Sequence, residues 1–211
     1  MQSRSGVRRR DVIVGGAVLA ACGGAQKKQG GDDDKDDDDD VTANEDLMRE
    51  HGALRRIIFI YEAAAPKGDD ATVLACAKLV RKFVEDYHER LEETHIFPRL
   101  QTGPLQPLVA TLLLQHQAGR RLTDQLMANP KDGKAIEQFV KMYEPHAAFE
   151  DTLIFPAWKK AVGKKAYAEL GEQFEAEETK TLGEAGFEHV LAQIAEIEKN
   201  IGIGDISIYT P

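Results

Sequence analysis

Cysteine is scarce: Cys22 and Cys76 are the only two in 211 residues. Two cysteines make no disulfide framework and rule out a thiolate-rich structural zinc site. Cys76 sits in an apolar helical stretch, residues 73–79, and reads as a buried small hydrophobe. Aromatic residues make up only 7% of the chain, and no segment shows strand-like alternation except the last few residues, Ile206–Tyr209. Excess positive charge is missing from most of the chain. Residues 31–40 hold eight Asp and one Lys, residues 1–30 carry +5, and −7 remains on residues 41–211. An acidic globular part argues against a nucleic-acid partner. No apolar run approaches the ~20 residues that a membrane-spanning helix needs; residues 12–21 supply about half.

That short run has export features. Arg8, Arg9 and Arg10 precede it, a weakly hydrophobic core follows, and small residues lead to Cys22. The paired arginines resemble a twin-arginine signal, and Leu19-Ala20-Ala21-Cys22 resembles a bacterial lipobox. These resemblances imply residues 1–22 as an export signal, lipidation of Cys22, and a periplasmic or cell-envelope location with membrane contact only through the lipid. The twin-arginine route exports folded proteins, which suits a chain that acquires iron in the cytoplasm. Residues 23–44 are Gly, Gln, Lys and Asp with almost no large apolar group, and read as a disordered acidic tether.

From residue 45 onward the periodicity is helical. Leu47, His51, Leu54, Ile58 and Tyr61 share one stripe of a helix over residues 45–64. Further helices are expected over residues 71–96, 108–127 and 134–162, separated by Pro- and Gly-rich breaks. Pro145 lies inside the fourth, where a bend before His146 is expected. Two shorter stretches, 164–181 and 186–200, follow Gly163. The fold class is all-α: an up-down-up-down four-helix bundle over residues 45–162, with extra C-terminal helices in residues 163–211.

Two copies of one pattern organise the bundle. His88 to Pro98 and His146 to Pro156 both read His-x-x-x-Glu-acid-Thr-x-Ile-Phe-Pro. Residues four apart share a helix face, so each copy pairs an imidazole with a carboxylate, His88 with Glu92 and His146 with Glu150. A lone histidine precedes each copy, His51 and His116, in the related strings His-Gly-Ala-Leu-Arg-Arg and His-Gln-Ala-Gly-Arg-Arg. A single histidine on an apolar face is ordinarily core. Four of them on four successive helices, two with a glutamate on the same buried stripe, point to a shared metal site. Mixed imidazole and carboxylate ligands suit iron, manganese or zinc. Two histidines per ion and two bridging glutamates would give a dinuclear centre with open positions.

With these residues the chain resembles the hemerythrin-like, or HHE cation-binding, family over residues 45–160. The resemblance implies a four-helix bundle around two non-heme iron ions. His51, His88, His116 and His146 would be the imidazole ligands, and Glu92 and Glu150 the bridges. Oxygen-carrying members have a second histidine one turn after the third-helix histidine, where this chain has Arg120. His95, two turns after His88, is a candidate replacement as ligand or outer hydrogen-bond partner. Asp151 is a rival to Glu150, and Glu93 is expected on the exposed side. The implied function is binding of dioxygen, or another small diatomic ligand, for storage, delivery or sensing. The alternatives are a diiron enzyme or iron donor acting on peroxide or nitric oxide, and a metal-holding module without redox work. Nothing looks like a pocket for an organic substrate, which favours binding over catalysis.

Overall fold

The computed structural model describes residues 41–211. The export-signal and lipobox motifs, Cys22 and most of the acidic tether lie outside the described residues. Six helical rods account for nearly all of the rest: α1 (Ala43–Ala64), α2 (residues 70–96), α3 (Gln106–Ala128), α4 (residues 133–162), α5 (Lys164–Leu182) and α6 (Gly186–Ile201). Among the described residues there is no strand and no helix long and apolar enough to cross a membrane. Ile206–Tyr209, where alternation suggested a strand, is a turn of 3-10 helix closed locally by Asp205, whose side chain accepts from the Ser207 N–H. Its residues are all exposed, so no sheet partner exists to turn alternation into a strand.

The rods begin where the sequence supplies acceptors for the free N–H groups of a helix start. Thr42 N–H donates to Glu45 Oε2 at 2.8 Å ahead of α1. Asp69 accepts from Thr72 N–H at 3.1 Å ahead of α2, and Asp132 from Ala135 N–H at 3.0 Å ahead of α4. Pro145 lies within α4 without interrupting it.

Helices α1 to α4 form the bundle, with a continuous core that includes Ile57, Tyr61, Phe83, Phe139 and Tyr143. The C-terminal helices close its sides. Trp158 of α4 stacks on Phe174 of α5 with centroids 5.8 Å apart. Phe187 of α6 meets Phe83 at 5.5 Å, and Arg56 of α1 pairs with Glu198 of α6 through two bonds of 2.8 and 2.6 Å.

The two sequence repeats share a backbone irregularity. Glu92–Ile96 and Glu150–Ile154 each form a widened π turn, in which Phe97 N–H reaches Glu92 C=O and Phe155 N–H reaches Glu150 C=O. Pro98 and Pro156 explain it. A proline ring crowds the carbonyl four residues back and offers no N–H to it, and opening the preceding turn relieves both problems. The extra residue shifts the helical phase, so Ile96 and Phe97, like Ile154 and Phe155, all turn inward and are fully buried.

Candidate metal centre

The six expected donors meet in the middle of the bundle. His51 comes from α1, His88 and Glu92 from α2, His116 from α3, His146 and Glu150 from α4, and all are at most 3% exposed. His51 Nε2 and His88 Nε2 lie 2.9 Å apart. Glu92 spans the two halves: Oε1 is 3.5 Å from His88 Nε2 and Oε2 is 3.3 Å from His116 Nε2. Glu150 Oε2 is 3.4 Å from His51 Nε2 and 3.0 Å from His146 Nε2, while Oε1 is 3.9 Å from His116 Nε2. Among the described residues three overlapping donor groups result: His51, His88 and Glu92; Glu92, His116, His146 and Glu150; and, on the outer side of His116, Glu89, Glu93 and His116 itself.

The outward nitrogens show what the inward ones are for. His51 Nδ1 lies 2.6 Å from Asp151 Oδ1, His88 Nδ1 2.6 Å from Glu50 Oε2, His116 Nδ1 3.1 Å from Glu93 Oε1, and His146 Nδ1 2.9 Å from Gln115 Oε1. Each partner oxygen accepts only, so each Nδ1 carries the hydrogen and each Nε2 turns a lone pair inward. The four bonds run round the bundle as a ring: α1 braces the histidine of α2, α2 that of α3, α3 that of α4, and α4 that of α1. Phe155 also stacks on the His51 ring at 5.4 Å, and Phe97 on His116 at 5.3 Å. The buried Phe of each Ile-Phe-Pro thus fixes the ring plane of a lone histidine.

These donors fit a metal. Neither oxygen of Glu92 or Glu150, nor His116 Nε2, makes a hydrogen bond of good geometry, although all are buried. Burying acceptors face to face is costly unless a cation lies among them. Without an ion, the same neighbours favour protonated imidazole at three of the four histidines. Burial alone would push the imidazoles of His51, His88 and His116 down, but neighbouring carboxylates hold all three up. His88 is held well above its usual range by Glu92 and Glu50, and His116 at about 10 by Glu89, Glu92 and Glu93. Burial would raise Glu92 and Glu150, and Glu92 would raise Glu150 further, yet His88 and His116 keep Glu92 low, and His146 with His51 keeps Glu150 low. A metal ion would displace those protons.

Asp151, a candidate ligand or outer partner from the sequence, takes the outer place: one oxygen faces His51 and the other Arg55 Nη2 at 3.3 Å. Glu93 is not on the exposed side as expected. It faces His116 and meets Arg120 Nη2 at 2.8 Å. Arg55 and Arg120 each stand four residues after a lone histidine, so both halves carry an Arg-carboxylate-His chain. His95 is outside the converging set; its half-buried ring rests on Phe174 at 5.5 Å. The π turn of residues 92–96 carries it off the face it would share with His88 on a regular helix.

Glu50, Gln115 and Glu89 were not anticipated. The first two had a signal, since both repeats place an acceptor directly before the lone histidine. Glu89 had none, because its counterpart after His146 is Ala147. It is buried, takes a 2.7 Å hydrogen bond from Tyr143 Oη and pairs with Arg120 at 2.8 Å, and burial lifts its carboxyl to about 7. Gly119 makes room for that tyrosine, because a Cβ there would overlap the phenol oxygen.

An uncharacterized protein of Mycobacterium tuberculosis and one of Mycobacterium bovis are each 41% identical over 190 residues, covering 81% of this chain and 74% of theirs. No solved structure matches the chain. Residues 42–158 match the family described as the hemerythrin HHE cation-binding domain, and they contain all six converging donors and their four braces. With that match covering more than half its length, the chain belongs to the hemerythrin HHE cation-binding family.

Proposed function

We propose that this protein is a non-heme diiron protein that binds dioxygen in the cell envelope, for storage, delivery or sensing. One ion would be held by His51 and His88, the other by His116 and His146, with Glu92 and Glu150 shared between them. The observation that carries the reading is the ring of four braced imidazoles, which presents four inward lone pairs and two carboxylates in one buried place. Imidazole with carboxylate suits iron, and two histidines per ion leave positions open for a small molecule. When bound, the two irons supply the redox change that dioxygen binding requires. The protein's own part is to fix the imidazoles, bury the carboxylates and keep bulk water out. The envelope location rests on the twin-arginine-like and lipobox-like residues 1–22, with Cys22 as the lipid-bearing residue.

Anaerobic metal analysis followed by an oxygen titration in the visible spectrum tests it. Two irons per chain and a spectral change that reverses on removing oxygen are expected. Irreversible oxidation on first exposure, or zinc in place of iron in natively exported protein, would overturn it. One observation favours a second reading, in which the centre turns over peroxide or nitric oxide. Arg120 stands where oxygen carriers of the family have a fifth histidine, and it is tied to Glu89 and Glu93 beside His116. Measurable turnover would select that reading.

A further inference from the structure

The two halves of the centre match in position but not in charge. Glu50 and Gln115 occupy the same place, directly before a lone histidine and against the Nδ1 of the next helix's histidine. One is a buried carboxylate at 2.6 Å, the other a neutral amide at 2.9 Å. The other two braces differ in the same sense. Asp151 gives one oxygen wholly to His51 at 2.6 Å and uses its second for Arg55. Glu93 uses the same oxygen, Oε1, for His116 at 3.1 Å and for Arg120 at 2.8 Å. Glu89 brings a further carboxylate to that side, but its nearer oxygen is 4.0 Å from His116 Nδ1 and pairs with Arg120, while the other takes the Tyr143 hydrogen bond.

An imidazole that donates to a full carboxylate is a stronger ligand than one that donates to an amide. We propose that the two cation positions are unequal. The His51 and His88 position holds its ion tightly, the His116 and His146 position exchanges its ion, and the contrast between Glu50 and Gln115 sets the difference. This inference rests on the dinuclear reading above. It makes Glu50 and Gln115 positioning residues, acting on the ions only through His88 and His146.

Cobalt(II) titrated into the metal-free full chain, against a competing chelator and followed by visible absorbance, reads both steps. Two equivalents are expected to bind in steps at least about tenfold apart, given that outer partners of this kind change affinity by about 10–100-fold. Gln115→Glu should tighten the weaker step and leave the tighter one in place. Glu50→Gln should loosen the tighter step by about 10–100-fold and spare the weaker. Two equal steps in the wild type, or a Gln115→Glu chain whose weaker step has not moved, would overturn the inference and leave the dinuclear reading standing. Fewer than two cobalt ions per wild-type chain would overturn both. The wild-type titration decides the matter even where a variant does not fold.

Discussion

Asp151 Oδ1 lies 2.6 Å from His51 Nδ1, so a side chain on α4 fixes the tautomer of a histidine on α1, 100 positions earlier. Replacing Asp151 by Asn keeps the shape and removes the charge. The expected result is a loss of about 10–100-fold in metal affinity with the helical content intact. Chelator competition and far-ultraviolet circular dichroism check the two halves of that statement. Unchanged affinity would mean that Asp151 does not act through His51.

Two glycines inside helices should respond oppositely to alanine. At Gly119 the new methyl would overlap the Tyr143 hydroxyl, and overpacking of this kind costs about 1–3 kcal/mol. At Gly171 in α5 a methyl would meet nothing within 4 Å, and the gain in helix propensity should stabilise the chain by up to about 1 kcal/mol. Urea unfolding of the metal-free protein measures both. Loss of stability in both variants would argue against the open space at Gly171.

Asp46, one turn before Glu50 and His51, supplies a pH test. Burial, with Glu50 nearby, raises its carboxyl from 3.8 to about 6. An acid whose folded value lies above its unfolded value binds its proton more tightly in the folded state. Its contribution therefore favours folding below about 4 and fades as pH rises through about 6. Asp46→Asn cannot ionise, so the variant should gain on the wild type across that window and keep a constant advantage above it. The effect should be modest because the side chain is partly solvated. Denaturant midpoints at pH 4, 5, 6 and 7 read it. An advantage that shrinks as pH rises would contradict the sign.

Cys76 should be chemically silent. It is fully buried, and burial pushes its thiol up to about 12. In a Cys22→Ser chain, a thiol reagent at pH 8 should leave the native protein unlabelled and react fully in denaturant. Rapid labelling of the native chain would show that the core around α1 and α2 opens readily.

Much of this was legible in the sequence, for definable reasons. Helix spacing put His51, His88, His116 and His146 on buried stripes, and the i to i+4 rule brought Glu92 and Glu150 beside two of them. Four rods with one apolar face each have few ways to pack, so the six donors had to meet. The outer partners were harder. Glu93 sits one position from Glu92, so a regular helix would swing it about 100° away toward water. It nevertheless reaches His116 because α3 passes on that side. His95 lies outside the converging donors for a backbone reason, since Pro98 follows a π turn where a straight helix was expected. Glu89 sits on a buried face that a charged residue normally avoids, and His116, Arg120 and Tyr143, all distant in sequence, make it tolerable there.

The hand-to-hand order of the four braces has a consequence for how the chain tolerates change. Each rod both receives support and passes it on, so the circuit has no free end and depends on who stands beside whom, not on which rod comes first in the chain. Moving the chain ends into residues 129–132 should leave every handhold in place. A single residue inserted in α2 between Phe83 and His88 would turn the far half of that rod by about 100° and so break two handholds at once, the one taken at His88 and the one offered by Glu93.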